Sequence, residues 1–167
     1  MVSVPVRLAL LGNSGVGKTQ ILKRYLSEDF REQTEKTIGL DFVNTNVEQR
    51  DGNVIKVQIW DTAGDERYRP MTPGNLLFKC AGVVVVYDIS HFPDFSSLQA
   101  QVDSALAGAR RTIPMLLLGN KLDKPRETSF ESACQFANSN NLMHEEVSAK
   151  TDYNIAPALN RFIHGQF

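Results

Sequence analysis

Apolar positions in this chain follow two rhythms. Val6-Arg7-Leu8-Ala9-Leu10-Leu11, Gly82 to Asp88 with its Val83-Val84-Val85-Val86 core, and Met115-Leu116-Leu117-Leu118 are short, nearly continuous apolar runs. That is the pattern of strands buried on both faces of a sheet, and it puts the all-valine run at the centre. Between them, apolar residues recur at helical spacing: Ile21, Leu22, Tyr25 and Leu26; then Phe95, Leu98, Val102, Ala105, Leu106 and Ala109; then Ile155, Leu159, Phe162 and Ile163. Pro157 falls in the first turn of the last helix, where proline is tolerated. Thr128 and Glu131 predict a capping box for a further helix with Phe130, Ala133, Cys134 and Ala137 inward.

Two more runs, Leu40 to Gln49 and Val54 to Trp60, flank Asp51-Gly52, a hairpin signal, so they are expected as antiparallel neighbours. Leu142 to Val147 predicts a last short strand. Residues 27–36 are too charged for a core and read as an exposed loop; residues 61–81 carry Pro70, Pro73 and Gly74, so any helix there is short or broken. Strands alternating with helices predict a three-layer α/β fold. Its sheet is mostly parallel with right-handed crossovers, carries one antiparallel edge strand, and has helices on both faces. At 167 residues, positions 1–167 are read as a single domain. Ligands of such sheets bind at the carboxyl ends of the strands.

Charge narrows the function classes. The net charge is −1 with pI about 6.3, and lysines and arginines are scattered, which argues against nucleic acid as a partner. No apolar run reaches the roughly 18 residues a membrane-spanning helix needs. Met1 to Pro5 runs straight into the first strand, so no signal peptide is expected. Cys80 and Cys134 share no metal or redox spacing and read as small buried hydrophobes of a reducing compartment; His91, His144 and His164 read as surface or satisfied histidines.

The chemistry centres on Gly12-Asn13-Ser14-Gly15-Val16-Gly17-Lys18-Thr19, the phosphate-loop pattern. A chance match in a chain this long is roughly a one-in-a-hundred event or rarer. The motif also lies where it must, between a strand and a helix start. Glycines allow backbone N–H groups to approach phosphate oxygens that a β-carbon would hold off, and the helix adds the positive end of its dipole. Lys18 is predicted on the β- and γ-phosphates, the Thr19 hydroxyl on Mg²⁺, and Asn13, Ser14, Gly15, Val16, Gly17 and Gln20 in the cradle. An ordinary glycine-rich turn accounts for neither Lys18 nor Thr19.

Three further segments close strands. Asp61 follows Val57-Gln58-Ile59-Trp60 and could hold Mg²⁺ from the opposite side, directly or through water. A strand-ending aspartate is otherwise often a cap or turn residue. Asn120-Lys121-Leu122-Asp123 follows a buried strand; the Asp123 carboxylate can accept from N1–H and N2–H of guanine, whereas adenine has no donor at N1. Lys121 could lay its apolar stem along the base. Ser148-Ala149-Lys150 could present the Ala149 N–H to guanine O6.

With these four segments in this order, the sequence resembles a Ras-superfamily small GTPase, and most of all the Rab group. The resemblance covers essentially the whole chain, including Thr37-Ile38-Gly39-Leu40-Asp41-Phe42, Trp60-Asp61-Thr62-Ala63-Gly64 and Val86-Tyr87-Asp88. It implies a six-stranded nucleotide-binding fold, GTP and GDP as ligands, Mg²⁺, two switch regions, and a monomer. It also implies that Thr37 reaches Mg²⁺ in the GTP state, that the Gly64 N–H meets the γ-phosphate, and that Phe30 packs edge-on to guanine. Phe42 and Trp60, with Leu77 as third member, correspond to the patch that faces effectors; exchange factors and activating proteins would act through the switches.

The resemblance has departures. Asp65 stands where the family has its hydrolysis glutamine, and Thr34 where switch I has an aromatic residue. The stretch between Arg69 and Ala81 is about two residues longer than usual. The chain ends at Phe167 without the cysteine of a prenylation signal, so no membrane anchor is read from it. A cytoplasmic location is expected, with any membrane association through partners or a tail beyond Phe167. Two functions stay open: a switch that hydrolyses GTP slowly, and a GTP-binding interaction module with negligible hydrolysis. A small phosphoryl-transferring kinase fits less well, since the chain has no arginine-rich lid.

Overall fold

The computed structural model describes residues 4–27, 40–62, 74–91, 94–109 and 112–167. Within them the order is β1 (Val6–Gly12), α1 (Lys18–Tyr25), β2 (Leu40–Glu48), β3 (Val54–Thr62), α2 (Gly74–Lys79), β4 (Gly82–Asp88), α3 (Phe95–Gly108), β5 (Met115–Asn120), α4 (Phe130–Ser139), β6 (Met143–Glu146) and α5 (Ile155–Gln166). The strands form one six-stranded sheet in the order β2-β3-β1-β4-β5-β6. Every pairing is parallel except β2 with β3, so the antiparallel strand lies at the edge, as expected. The hairpin turns where Asp51-Gly52 predicted: Gly52 adopts φ 83°, and its N–H donates to the Gln49 carbonyl at 3.0 Å.

Side-chain alternation along the central strands divides the core in two. Leu8, Leu10, Val84, Val86, Leu116 and Leu118 face a cluster shared with Ile21 of α1 and with Ile155, Leu159, Phe162 and Ile163 of α5. Ala9, Val83, Val85, Tyr87, Met115 and Leu117 face the opposite cluster, with Leu76 of α2, Leu98, Val102 and Ala105 of α3, and Ala133 and Ala137 of α4. This is why those strands read as continuous apolar runs. Phe162 is fully buried, and its ring occupies the space above Gly82, where an added Cβ would sit 3.2 Å from the ring tip. Phe162→Ala is expected to lower unfolding stability by about 3–5 kcal/mol through lost burial and a cavity. Urea denaturation measures this, and a loss below about 1 kcal/mol would contradict the packing described.

Several expectations are corrected in detail. β3 runs through Thr62, so Asp61 lies within the strand's last turn of pleat rather than after it. Leu106 is 43% exposed, because it follows Ala105 by one residue and so stands about 100° off the buried stripe; Gln101 is buried in its place. α4 is capped by Ser129, whose hydroxyl accepts from the Ser132 N–H at 3.1 Å, not by Thr128. Thr128 is instead fully buried, and its hydroxyl donates to the His91 carbonyl at 2.9 Å. Phe130, at the helix start, lies half out of the core against the His144 ring, 5.5 Å between centroids. Cys80 is buried and Cys134 only half-buried, 3.4 Å from His144 Nδ1; both are free thiols. His144 also meets the Tyr87 hydroxyl at 3.0 Å; His91 is exposed, and half-buried His164 meets the Glu48 carbonyl at 3.0 Å.

Candidate functional site

At the carboxyl end of β1 the chain enters the glycine loop. Gly12 allows the loop to pass close under β4, for a Cβ there would stand 2.6 Å from the Val86 carbonyl oxygen. Gly15 and Gly17 take φ 81° and 99°, left-handed values that favour glycine. A Cβ on Gly17 would collide with the Asn120 amide nitrogen, so the loop and the β5 end are in contact at that point. α1 begins immediately after, at Lys18. Gly17, the residue before the helix, has no side chain with which to cap its first N–H groups, the groups that meet an anion at a helix N-terminus.

Lys18 is buried, and its ammonium donates to the Gly12 carbonyl at 2.8 Å and the Asn13 carbonyl at 3.2 Å, curled within the loop's own concavity. A buried ammonium set among the carbonyl oxygens of a glycine loop is matched to an anion entering that concavity. Thr19 donates its hydroxyl proton to Asp61 Oδ2 at 2.5 Å, and Asp61 is buried beside it. A hydroxyl and a carboxylate so placed form a hard-oxygen pair suited to Mg²⁺. Thr62, next to Asp61, donates its hydroxyl to the Leu10 carbonyl at 2.5 Å and ties the β3 end to β1.

The segments that the sequence assigned to the base come together against the loop. Asn120 is 2% exposed; its amide donates to the Val16 carbonyl at 2.9 Å and accepts from the Ala149 N–H at 3.1 Å. The N–H assigned from sequence to guanine O6 is thus bonded to Asn120 here. Lys121 adopts φ 68°, and its ammonium reaches the Gly15 carbonyl at 2.6 Å. Ser148, 1% exposed, donates its hydroxyl proton to Asp123 Oδ1 at 2.5 Å and accepts from the Thr151 N–H at 3.2 Å. A paired bridge between Ser148 and Tyr153 closes that loop. Ala149 is buried, whereas Lys150 is exposed.

The structure therefore brings together the loop residues Gly12 to Thr19, Asp61, Asn120, Lys121, Asp123, Ser148 and Ala149. Phe30, Thr34, Thr37, Gly64 and Asp65 lie outside the described residues. Phe42 and Trp60 face each other with ring centroids 4.6 Å apart, and Phe42 is 45% exposed. Leu77 is half-buried and turns toward Gly108 of α3.

Some neighbours of the site were given no role by the sequence. Arg24 donates to the Ala149 and Lys150 carbonyls at 2.8 and 3.0 Å, bracing their loop on α1. The Asn13 amide oxygen accepts from Ser97 at 3.1 Å and Gln101 at 3.0 Å, which ties the glycine loop to α3. Asp88, ending β4, pairs with Lys121 at 2.6 Å; a carboxylate closing a central strand was its available clue.

Residues 7–165 match the family model described as Ras family. The chain is 37% identical over 151 residues to the Ras-related protein Rab-5B of Plasmodium falciparum, covering 90% of this chain and 72% of that protein. It is 37% identical over 154 residues to human Ras-related protein Rab-4B, covering 91% and 71%. It is 38% identical over 160 residues to Ras-related protein RABG3b of Arabidopsis thaliana, covering 90% and 77%.

Proposed function

The chain belongs to the Ras family and is most like its Rab group, and from that membership we propose a guanine-nucleotide switch, one domain over residues 1–167, that exchanges GDP for GTP and recruits effectors in vesicle traffic. The observation that carries the proposal is the meeting of Asn120 and Lys121 with the glycine loop at 2.9 and 2.6 Å, with Asp123 held by Ser148 beside them. A phosphate cradle joined through Asn120 and Lys121 to the segment that carries an acceptor-only carboxylate suits a nucleotide whose base offers donors at N1 and C2.

In this reading the loop N–H groups and Lys18 take the phosphates, Asp123 reads the base edge, and Ala149 turns its N–H to O6. Thr19 and Asp61 would hold Mg²⁺, with Thr37 joining them in the GTP state. Mg²⁺, when bound, would supply positive charge to the phosphates. Phe30 packs on guanine, and Gly64 gives its N–H to the γ-phosphate. Hydrolysis is attack of water on that phosphate, slow because Asp65 replaces the glutamine; the alternative, an interaction module without useful hydrolysis, draws on the same substitution. Phe42, Trp60 and Leu77 form the effector-facing patch. The protein acts as a cytoplasmic monomer, with membrane contact through partners or a tail beyond Phe167. Among the described residues no helix is long and apolar enough to cross a membrane.

Titration with fluorescent GDP and GTP, with ATP as competitor and with Mg²⁺ present or chelated, tests the proposal. Tight GDP and GTP binding with ATP excluded is expected. Thr19→Asn removes the hydroxyl that matters most once the γ-phosphate completes the metal shell. It should weaken GTP on the order of tenfold more than GDP, the worth of one charge-assisted contact. Equal losses would mean general damage to the loop.

A further inference from the structure

Asp88 has no assigned role, yet it faces the site and not the core. Its Oδ1 accepts from the Ser90 N–H at 2.9 Å and the Ser90 hydroxyl at 2.6 Å, which fixes the carboxylate plane. Oδ2 is left to meet the Lys121 ammonium at 2.6 Å, with the His91 ring 3.2 Å away. The Asp88 side chain is 8% exposed and that of Lys121 24%, so the pair is largely withdrawn from water. Burial alone would raise the Asp88 pKa; hydrogen bonds from Lys121 and Ser90 outweigh it and keep the carboxyl below the ordinary carboxylate range. The next residue extends the brace, since the Ile89 N–H donates to the Asn120 carbonyl at 2.9 Å.

Lys121 is the other half of the observation. Its left-handed backbone turns the side chain back over the glycine loop, and its ammonium bridges the Gly15 carbonyl and Asp88 at 2.6 Å each. A lysine side chain has four rotatable bonds and strong hydration, so one neutral carbonyl holds it poorly. The carboxylate supplies the fixed, charged second anchor. With both ends pinned, the stem is set in place before a base arrives, which lowers the ordering cost of binding.

We propose that Asp88 is a positioning residue for nucleotide binding, acting through Lys121 to set how long a guanine nucleotide stays bound while leaving base choice to Asp123. This rests on the guanine-nucleotide reading above. Asp88→Asn keeps the side-chain shape but removes the charge, and either its amide nitrogen faces the ammonium or its oxygen abandons Ser90. Dissociation of fluorescent GDP from this variant is expected to speed up roughly tenfold, the scale of one charged hydrogen bond, with the GTP-over-XTP preference unchanged.

Lys121→Ala and the double variant separate positioning from a merely structural role. If Asp88 acts through Lys121, Asp88→Asn adds less than about twofold once Lys121 is already alanine. Unchanged dissociation from Asp88→Asn would overturn the proposal, and so would a full tenfold effect persisting in the Lys121→Ala background. Should the asparagine variant not fold, Asp88→Ala poses the same question with the same outcomes. Wild-type protein that fails to prefer GDP and GTP over ATP would overturn the underlying reading instead, and that result is visible without any variant.

Discussion

Asp123→Asn is expected to turn a protein that prefers GTP over XTP into one that prefers XTP. A carboxylate only accepts, and guanine offers it two donors, N1–H and the exocyclic N2–H. Xanthine keeps N1–H but carries an oxygen at C2, which would face a carboxylate oxygen across a partly desolvated gap. The asparagine amide reverses that balance, provided its orientation is controlled. Ser148 controls it: its hydroxyl donates its one proton to Oδ1 at 2.5 Å, an arrangement steadied by the Thr151 N–H that donates to the same hydroxyl oxygen. The amide oxygen therefore takes the Oδ1 place, and the NH₂ group points toward C2. Sites built to hydrogen-bond one group reject its mismatch by large factors, so the GTP-to-XTP affinity ratio should fall on the order of a thousandfold. Competition against labelled GDP measures the ratio. An unchanged preference for GTP would remove Asp123 from the site.

The second large effect is in rate. Asp65→Gln should raise single-turnover GTP hydrolysis on the order of a hundredfold, with GTP affinity changed less than about threefold. In the family's mechanism the glutamine at this position orients the attacking water, accepting from it and donating to the transferring phosphoryl group. That role is the family's; the substitution is this chain's. On that assignment an aspartate would lack the donor, be one methylene shorter, and bring a carboxylate toward an anionic transition state. Restoring the amide would remove all three defects. If wild type already hydrolyses as fast as Asp65→Gln, another group, with Glu66 adjacent, does the work and the disabled-site idea fails.

What could be read from the sequence was what depends on short-range rules. The apolar runs located β1, β4 and β5 because strands buried on both faces have no polar alternation to blur them. The glycine loop was legible because Gly12, Gly15 and Gly17 answer to backbone geometry that few other residues satisfy. The helix start at Thr128 or Ser129 was not: either hydroxyl could cap α4, and the choice is made by the His91 carbonyl, which claims Thr128 from a distant loop. The bracing of the site was hidden for the same reason. Arg24 meets Ala149 across 125 positions and Gln101 meets Asn13 across 88, and no spacing pattern encodes such pairs. Asp88 belongs to the family-like segment Val86-Tyr87-Asp88, but no spacing pairs it with Lys121 of Asn120-Lys121-Leu122-Asp123, 33 positions on.

The seating of Asn120 against the glycine loop also bears on the order in which the molecule is made. Val16 meets Asn120 across 104 positions, and Asn120 meets Ala149 across a further 29. Residues 1–119 hold the whole phosphate-loop motif yet neither of the groups, Asn120 and Ala149, that join it to the opposite side of the site. Such contacts between distant positions close late and slowly, since chain entropy must be overcome before they form. The phosphate loop thus depends for its completion on positions more than a hundred residues further along the chain. On the proposed function, tight retention of guanine nucleotide would report that the stretch from Asn120 to Ala149 has already docked.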